Sequence, residues 1–506
     1  MKKNRVVMGG LLLVGLTLIR SCDNEKDKIL KEGEQLARSY CITCHAFPEP
    51  NLLDRKTWEE NVLPQMGQFM NVDIYYDPYN NSGPSGDVNV KRTRPENLFP
   101  YEKWKSIVAW YIANAPEKPI PRKETLGLIK DSLTLFETHP VYDVFDHPLT
   151  TYIAYDTDLK KVLFGDGLNR EVYALSKDYQ AKKIFEVSEG IADLGKRSEG
   201  WIAVTMGILK PSDQKLGKLS LLTTGKKPVT IIDSLQRPVR AKYADLNGDG
   251  REDIIISEFG YRNGALSWFE KKENGYEKHV LRQQPGAIDI LVRDFNNDGQ
   301  SDIAVLMTQG DEGIFFYYNE KGGKFREERV LQFPPSYGSN YFDMVDMNND
   351  GFMDIITTQG DNGDNSVILK AYHGIRIFYN DGNNKFSEKL FLPVYGVQKV
   401  IADDFDKDGD MDLASIAFFP DYVNHANESF IYWENKGAWK FERSTFRNAT
   451  EGRWMTMDAN DIDDDGDVDI MLGNAFFTLG DVPASLIEKW KKRSLSVMVL
   501  ENRLNK

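Results

Sequence analysis

The chain has 506 residues, with 63 Lys+Arg against 77 Asp+Glu, three cysteines and 40 glycines. That length exceeds one ordinary domain, and so few cysteines exclude a disulfide scaffold. A formal charge of −14 excludes a surface that tracks phosphates, and with it a nucleic-acid partner, because such surfaces need a positive field.

Lys2, Lys3 and Arg5 precede an apolar run from Val6 to Ile19, the charged and hydrophobic regions of a secretory signal. The run falls short of the about 20 apolar residues that a membrane helix needs. It ends at Arg20-Ser21-Cys22, before the polar stretch Asp23 to Lys28. This junction resembles a bacterial lipoprotein cleavage box, which makes residues 1–22 the signal with Cys22 as the lipidated residue, and residues 23–29 a tether. The resemblance implies a membrane partner through the lipid anchor and a place in the cell envelope, at the outer membrane or cell surface or on the periplasmic side. The acidic run after Cys22 is similar to the surface-export signal of Bacteroidota lipoproteins. A plain cleaved signal is the alternative.

Cys41-Ile42-Thr43-Cys44-His45 is a C-x-x-C-H element. Two thiols at this spacing can add to the vinyl groups of haem, and the adjacent His45 then ligates the iron. A thioredoxin-like pair or half a zinc site has no need of His45, and no second cysteine pair exists. Helical spacing leads into the motif over Lys28 to Ser39, and recurs over Tyr101 to Ala115, where Trp104, Ile107, Val108, Trp110, Tyr111 and Ile112 make an apolar stripe. Pro116, Pro119 and Pro121 end that helix. Residues 30–118 resemble a class I cytochrome c domain, small and all-α. The resemblance implies haem c bound by Cys41, Cys44 and His45, with a thioether as sixth ligand: Met66 first, Met70 as the alternative. Residues 119–124 read as a Pro-rich linker.

The remainder repeats itself. A nine-residue string begins at Asp245, Asp294, Asp346, Asp404 and Asp461, with starts 49, 52, 58 and 57 residues apart. An alternating apolar stretch precedes each copy and a β-branched strand follows it. Two further strands then meet across a Gly- or Asn-bearing turn, such as Ile375 to Tyr379 and Phe386 to Phe391. Four strands per repeat is the composition of a propeller blade. Residues 125–506 divided by the period predict seven blades, five with the string and two without it, around Tyr152 to Phe185 and Gly200 to Ile232. The last repeat supplies only its third strand, Leu495 to Glu501, so a strand from the Thr125 to Tyr142 region is expected to complete it and close the ring. The predicted fold class is therefore multidomain, a small all-α domain followed by an all-β propeller.

In the string D-x-[ND]-x-D-G-x-x-D, side-chain oxygens at positions 1, 3, 5 and 9 and a carbonyl at 7 can converge on a hard cation, and this donor set suits calcium. The predicted ligands are Asp245, Asn247, Asp249 and Asp253; Asp294, Asn296, Asp298 and Asp302; Asp346, Asn348, Asp350 and Asp354; Asp404, Asp406, Asp408 and Asp412; and Asp461, Asp463, Asp465 and Asp469. Position 12 holds Ile256, Val305, Thr357, Ser415 and Leu472, not the Glu of an EF-hand. The strings resemble the FG-GAP or VCBS repeats of integrin-like propellers, where the loop joins the first and second strands of a blade and holds calcium. Up to five Ca²⁺ ions would take the charge from −14 to −4. A metal-free Asp/Asn turn is the alternative.

A covalent haem on a tethered domain implies one-electron transfer to a redox partner protein in the envelope, with the propeller as a docking module for a protein or glycan. The loops opposite the acidic strings carry Phe259, Tyr261 and Arg262, then Asp361, Asn362 and Asp364, and later Phe418, Phe419, Tyr422, Phe476 and Phe477; such aromatics could stack on sugar rings. Ordinary packing between blades is the competing reading for each. Two enzymatic alternatives remain open: a quinone-dependent, sugar-type dehydrogenase passing electrons to its own haem, and a polysaccharide lyase. The scattered His139, His147, His279, His373 and His425 name no catalytic base, and an electron carrier is the expectation over a substrate-converting enzyme.

Overall fold

The computed structural model describes residues 10–72, 99–123, 126–363 and 366–505, with side chains from residue 25 onward. The side chain of Cys22 and all of Asp364 lie outside the described residues. The chain divides into a smaller compact unit ending at Ile120 and a larger one starting at Pro121.

In the smaller unit, helix α1 (Gly10–Tyr40) runs without a break up to a 3₁₀ turn at Cys41–Thr43 that carries the first thiol. Among the described residues no helix is long and apolar enough to cross a membrane. After a short helix α2 (Arg55–Thr57), capped by Asp54, and a π-turn at Trp58–Val62 comes α3 (Leu63–Phe69). The last helix, α4 (Tyr101–Asn114), buries Trp104, Ile107, Trp110 and Tyr111, the apolar stripe that the spacing predicts. Its Ser106–Trp110 turn lies so close to α1 that a Cβ at Gly33 would meet the Ser106 carbonyl oxygen at 2.0 Å. Trp58 packs on Tyr111 with ring centroids 4.5 Å apart and donates from Nε1 to the Pro50 carbonyl (2.8 Å).

The larger unit is a seven-bladed propeller of four-stranded antiparallel sheets. The first two blades are β2 to β5 (Thr150–Asp156, Lys161–Asp166, Glu171–Leu175, Ala181–Glu186) and β6 to β9 (Ile191–Arg197, Gly200–Thr205, Gly217–Leu222, Val229–Leu235). The third and fourth are β10 to β13 (Pro238–Ala244, Asp253–Glu258, Ala265–Lys272, Gly275–Arg282) and β14 to β17 (Ala287–Arg293, Asp302–Met307, Gly313–Asn319, Phe325–Gln332). The fifth and sixth are β18 to β21 (Ser339–Val345, Asp354–Gln359, Gly374–Asn380, Phe386–Pro393) and β22 to β25 (Val397–Asp403, Asp412–Ala417, Phe430–Asn435, Phe441–Ser444). The seventh joins β26 to β28 (Trp454–Asn460, Asp469–Asn474, Leu495–Asn502) with β1 (Phe136–Tyr142) as its outer strand. That pairing, from Phe136↔Asn502 to Val141↔Val497, is the expected closure, and it removes a pair of open sheet edges.

Second strands are covered on both faces: β11, β15, β19, β23 and β27 are buried throughout, each with an aliphatic run after its leading Asp. Each core lies between neighbouring blades; Leu306 and Phe316 of the fourth, for example, pack with Phe342 and Ile355 of the fifth. The segment that leads into β1 is pinned at its start. Arg122 forms a buried bidentate pair with Glu428 (2.7 and 3.1 Å) and stacks over Tyr395.

Candidate functional site

The motif thiols are both unpaired in disulfides; Cys41 is half-buried and Cys44 exposed. The Tyr111 hydroxyl donates to the Pro48 carbonyl (2.9 Å) and lies beside Cys41. Burial pushes the Cys41 thiol up to about 11, the Tyr111 contact only partly offsetting it. His45 Nδ1 lies 2.8 Å from the Ala46 carbonyl. A carbonyl only accepts, so the ring proton sits on Nδ1 and the Nε2 lone pair is left for a ligand. Met66 lies within α3, and Met70 caps it, donating its N–H to the Met66 carbonyl (2.9 Å). Both are half-buried, whereas Ile42 and Phe69 are exposed. The chain beyond α3 returns through a bridge between Val72 and Phe99, whose ring meets Tyr40 edge-on at 5.0 Å.

The five acidic strings all connect a first strand to a second and share one backbone. Position 4 takes a left-handed φ at Gly248, Asn297, Asn349, Lys407 and Asp464, and position 6 does so at Gly250, Gly299, Gly351, Gly409 and Gly466. Glycine at position 6 thus serves the turn's dihedral. Nothing lies within 4 Å of an added Cβ at Gly250, Gly299, Gly351 or Gly409. The first Asp accepts from that glycine's N–H in every loop, as in Asp294 with Gly299 (2.7 Å).

The ninth residue braces the loop. Asp253, Asp302, Asp354, Asp412 and Asp469 are fully buried. One oxygen of each accepts from the end of the third strand: the N–H of Lys271, Asn319, Asn380, Asn435 or Asn502. The other accepts from the second residue of the loop, except that Asp412 takes the Tyr432 hydroxyl (2.6 Å). Burial raises all five carboxyls, and neighbouring loop carboxylates add to it; Asp412 and Asp469 reach about 7.

Oxygens of Asp404, Asp406 and Asp408 lie within 4.8 Å of one another, as do those of Asp461, Asp463 and Asp469. Asp404 Oδ1 is buried with no hydrogen-bond partner. In the first loop the Asp249 carboxylate is instead held by Arg251 (2.6 Å). The degenerate first blade replaces the loop by a short turn, in which Asp156 accepts from the N–H groups of Asp158 and Leu159.

Most of the aromatic candidates on the opposite face are engaged in packing. Arg453, almost fully buried, lies over Phe418 and Phe419 and donates to the Phe418, Phe477 and Leu479 carbonyls. Arg237 lies over Phe259, Tyr422 packs on Trp490, and Phe476 stacks on His147. Phe477 stays exposed.

The sequence reading missed a layer of residues on the propeller axis. Each of the seven inner strands shifts register after its first residue, at Thr150/Tyr152, Ile191/Asp193, Pro238/Arg240, Ala287/Asp289, Ser339/Tyr341, Val397/Lys399 and Trp454/Thr456. The bulge turns the next side chain to the same height in every blade. Arg240 thereby reaches Asp193 (3.4 Å) and Asp289 (3.1 Å) on the blades to either side. The nearby Lys399 is pulled down by burial and donates to the Met457 carbonyl (2.9 Å). Only the recurrent apolar-x-polar start of those strands hints at this layer.

Comparison with known proteins bears on the larger unit. The FG-GAP-like repeat model matches residues 245–305, 294–357 and 404–472, so the chain carries FG-GAP repeats within its seven-bladed propeller. Integrin alpha-PS3 of Drosophila melanogaster is 28% identical over a 160-residue alignment, and the match covers 26% of this chain and 14% of that protein. The chain thus spans about one-seventh of the length of the curated relative that it matches. Among solved structures, the N-terminal domain of Nup159 covers 75% of this chain and 99% of its own length, at 10% identity and a TM-score of 0.43. A gluconolactonase of Xanthomonas campestris covers 57% and 88% respectively, at 12% identity and a TM-score of 0.34.

Proposed function

We propose that this is an envelope-anchored c-type haem electron-transfer protein whose calcium-stabilised propeller is a docking module for a protein or glycan. The observation that carries the electron-transfer half is the arrangement at Cys41, Cys44 and His45: two reduced thiols at the end of α1, and an imidazole whose Nδ1 proton is already committed, leaving Nε2 for iron. These residues fit haem c. When bound, that group exchanges one electron with a partner and needs no open coordination site to do so.

The chain's own residues prepare for it. Burial keeps Cys41 protonated at neutral pH until haem attachment. The Gly33 contact fixes α1 against α4, which puts the thiols just beyond the end of a helix that is itself held in place. Met66 is the proposed sixth ligand, with Met70 behind it, and exposed Phe69 and Ile42 supply apolar surface that a macrocycle would cover.

The calcium half rests on the donor chemistry of the strings and on the unpartnered buried oxygen of Asp404. Asp404, Asp406 and Asp408, and Asp461, Asp463 and Asp469, are the sets closest to a cation cage, and the ion would act structurally. Cys22 is the proposed lipidation site and the envelope the proposed location. The deciding experiment is a reduced-minus-oxidised absorption spectrum of the chain matured in a host that assembles c-type haem. A sharp c-type α-band is expected. Absence of bound haem in such a host would end the electron-transfer reading.

A further inference from the structure

The outer hairpin of the third blade carries a set of ligand-type side chains that none of the readings above uses. In the pairing of β12 with β13, Glu270 lies opposite Glu277 and Trp268 opposite His279. Residues opposite one another, and residues two apart on a strand, share a face of the sheet. Glu270, Glu277 and His279 therefore all project from one face of the hairpin, and one ligand atom of each lies within 4.8 Å of the other two. Among the described residues the other sets of this kind belong to the acidic strings. This one contains an imidazole.

The set is both oriented and open to solvent. The His279 ring stacks on Trp268, with centroids 4.4 Å and planes 18° apart, and Trp268 is buried in the blade core. His279 Nε2 lies 3.0 Å from Glu270 Oε2. The other oxygen of Glu270, Oε1, accepts from the Asn247 amide (3.0 Å), so the carboxylate is aimed from outside the set, as the outer partners of metal ligands do. Lys272 Nζ sits 2.6 Å from Glu270 and 3.2 Å from Glu277. The gap between the two carboxylates thus already takes a positive charge. The side chains of His279, Lys272 and Glu277 are 37, 41 and 58% exposed, which leaves a clear path for an ion.

The donor set narrows which ion. Calcium takes oxygen ligands, so an imidazole argues against it. Zinc is bound tetrahedrally by nitrogen and oxygen donors, and three protein ligands leave its fourth position to water. Zinc bonds of about 2.0–2.1 Å put neighbouring ligand atoms about 3.3 Å apart. The Nε2–Oε2 edge of His279 and Glu270 is already 3.0 Å long, and zinc takes the place of the proton between them. The exposed Glu277 closes the remaining distance by rotating its side chain, while Lys272 swings out into water.

We infer that Glu270, Glu277 and His279 form a zinc site on the rim of the third blade. The ion cross-links β12 and β13, the outermost strands of that blade. The site adjoins the first acidic string through Asn247, whose amide also donates to Asp249 (3.3 Å). It rests on none of the haem, calcium or docking readings, since its ligands lie outside all three.

The test is competition for zinc between the untagged full chain and a chromophoric chelator, with Cys41 and Cys44 alkylated and calcium in excess so that neither the thiols nor the acidic strings take the metal. One zinc ion binds per chain. His279→Ala and Glu270→Gln each weaken it by about tenfold or more, and Glu277→Gln carries the test if the Glu270 variant does not fold. Lys272→Ala tightens binding, because the competing ammonium is gone. Val229→Ser, on an exposed outer strand, leaves it unchanged. X-ray absorption at the zinc edge shows an imidazole among nitrogen and oxygen ligands at about 2.0–2.1 Å. The proposal falls if no zinc binds, if excess calcium displaces it, if the edge shows no imidazole, or if the His279 and glutamate variants bind zinc as the wild type does.

Discussion

On the proposed reading of the acidic loops as calcium sites, the propeller's stability without the ion should fall as pH rises. Burial and crowding hold Asp412 and Asp469 near pH 7 against an ordinary value of 3.8. A carboxyl raised in the folded state binds its proton more tightly there than in the unfolded chain. Between those two pH values the folded state therefore holds more protons, and stability is lost as pH rises, levelling off above the folded value. About three units at about 1.4 kcal/mol each give about 4 kcal/mol per residue as an upper bound, a large part of a typical folding free energy. A bound cation removes the penalty, because the charged form then gains a partner; free calcium at about a hundred times its dissociation constant adds about 2.7 kcal/mol per site. The assay is urea unfolding of the full chain across this pH range, in EDTA and in calcium. The expected result is a midpoint that drops with pH in EDTA and holds in calcium. A midpoint that rises with pH in EDTA, or one that calcium does not move, would refute the reasoning.

Further outcomes follow from single residues. Gly33→Ala puts a methyl where the Ser106 carbonyl already lies; it should cost about 1–3 kcal/mol or more and lower the yield of haem-loaded protein, read from the ratio of haem to protein absorbance. Arg122→Met leaves Glu428 buried and unpaired, an expected loss of about 3–5 kcal/mol in denaturant unfolding, and adding Glu428→Gln should recover part of it. Met66→Ala should abolish the Met-to-iron band of the oxidised spectrum, whereas Met70→Ala leaves it; the reverse pattern would transfer the ligand to Met70. His139→Pro in the middle of β1 removes the N–H that faces β28 opposite Val499, and should cost about 1–3 kcal/mol for the carbonyl left unpaired, with premature proteolysis at the ring closure as a second readout.

The parts of this protein that sequence determines by itself are those encoded in local spacing. The nine-residue strings impose their own turn, since two left-handed positions and an Asp that accepts from the sixth residue's N–H need nothing from the rest of the chain. Their recurrence, with four strand signals each, suffices for the blade count, and the missing outer strand of the seventh blade points to β1. The motif from Cys41 to His45 and the stripe on α4 are legible for the same reason. What tertiary structure alone decided involves residues far apart in the chain. Arg240 pairs with Asp193 and Asp289 because a bulge repeats in every inner strand, including the two blades that lack the acidic string. Asp412 looks like a cation ligand in sequence, yet folding also makes it a buried acceptor for Tyr432 and the Asn435 N–H. Glu312 and His373, 61 residues apart, carry no motif. Closing the ring brings the loops that carry them to one end of the propeller, and both side chains are buried there.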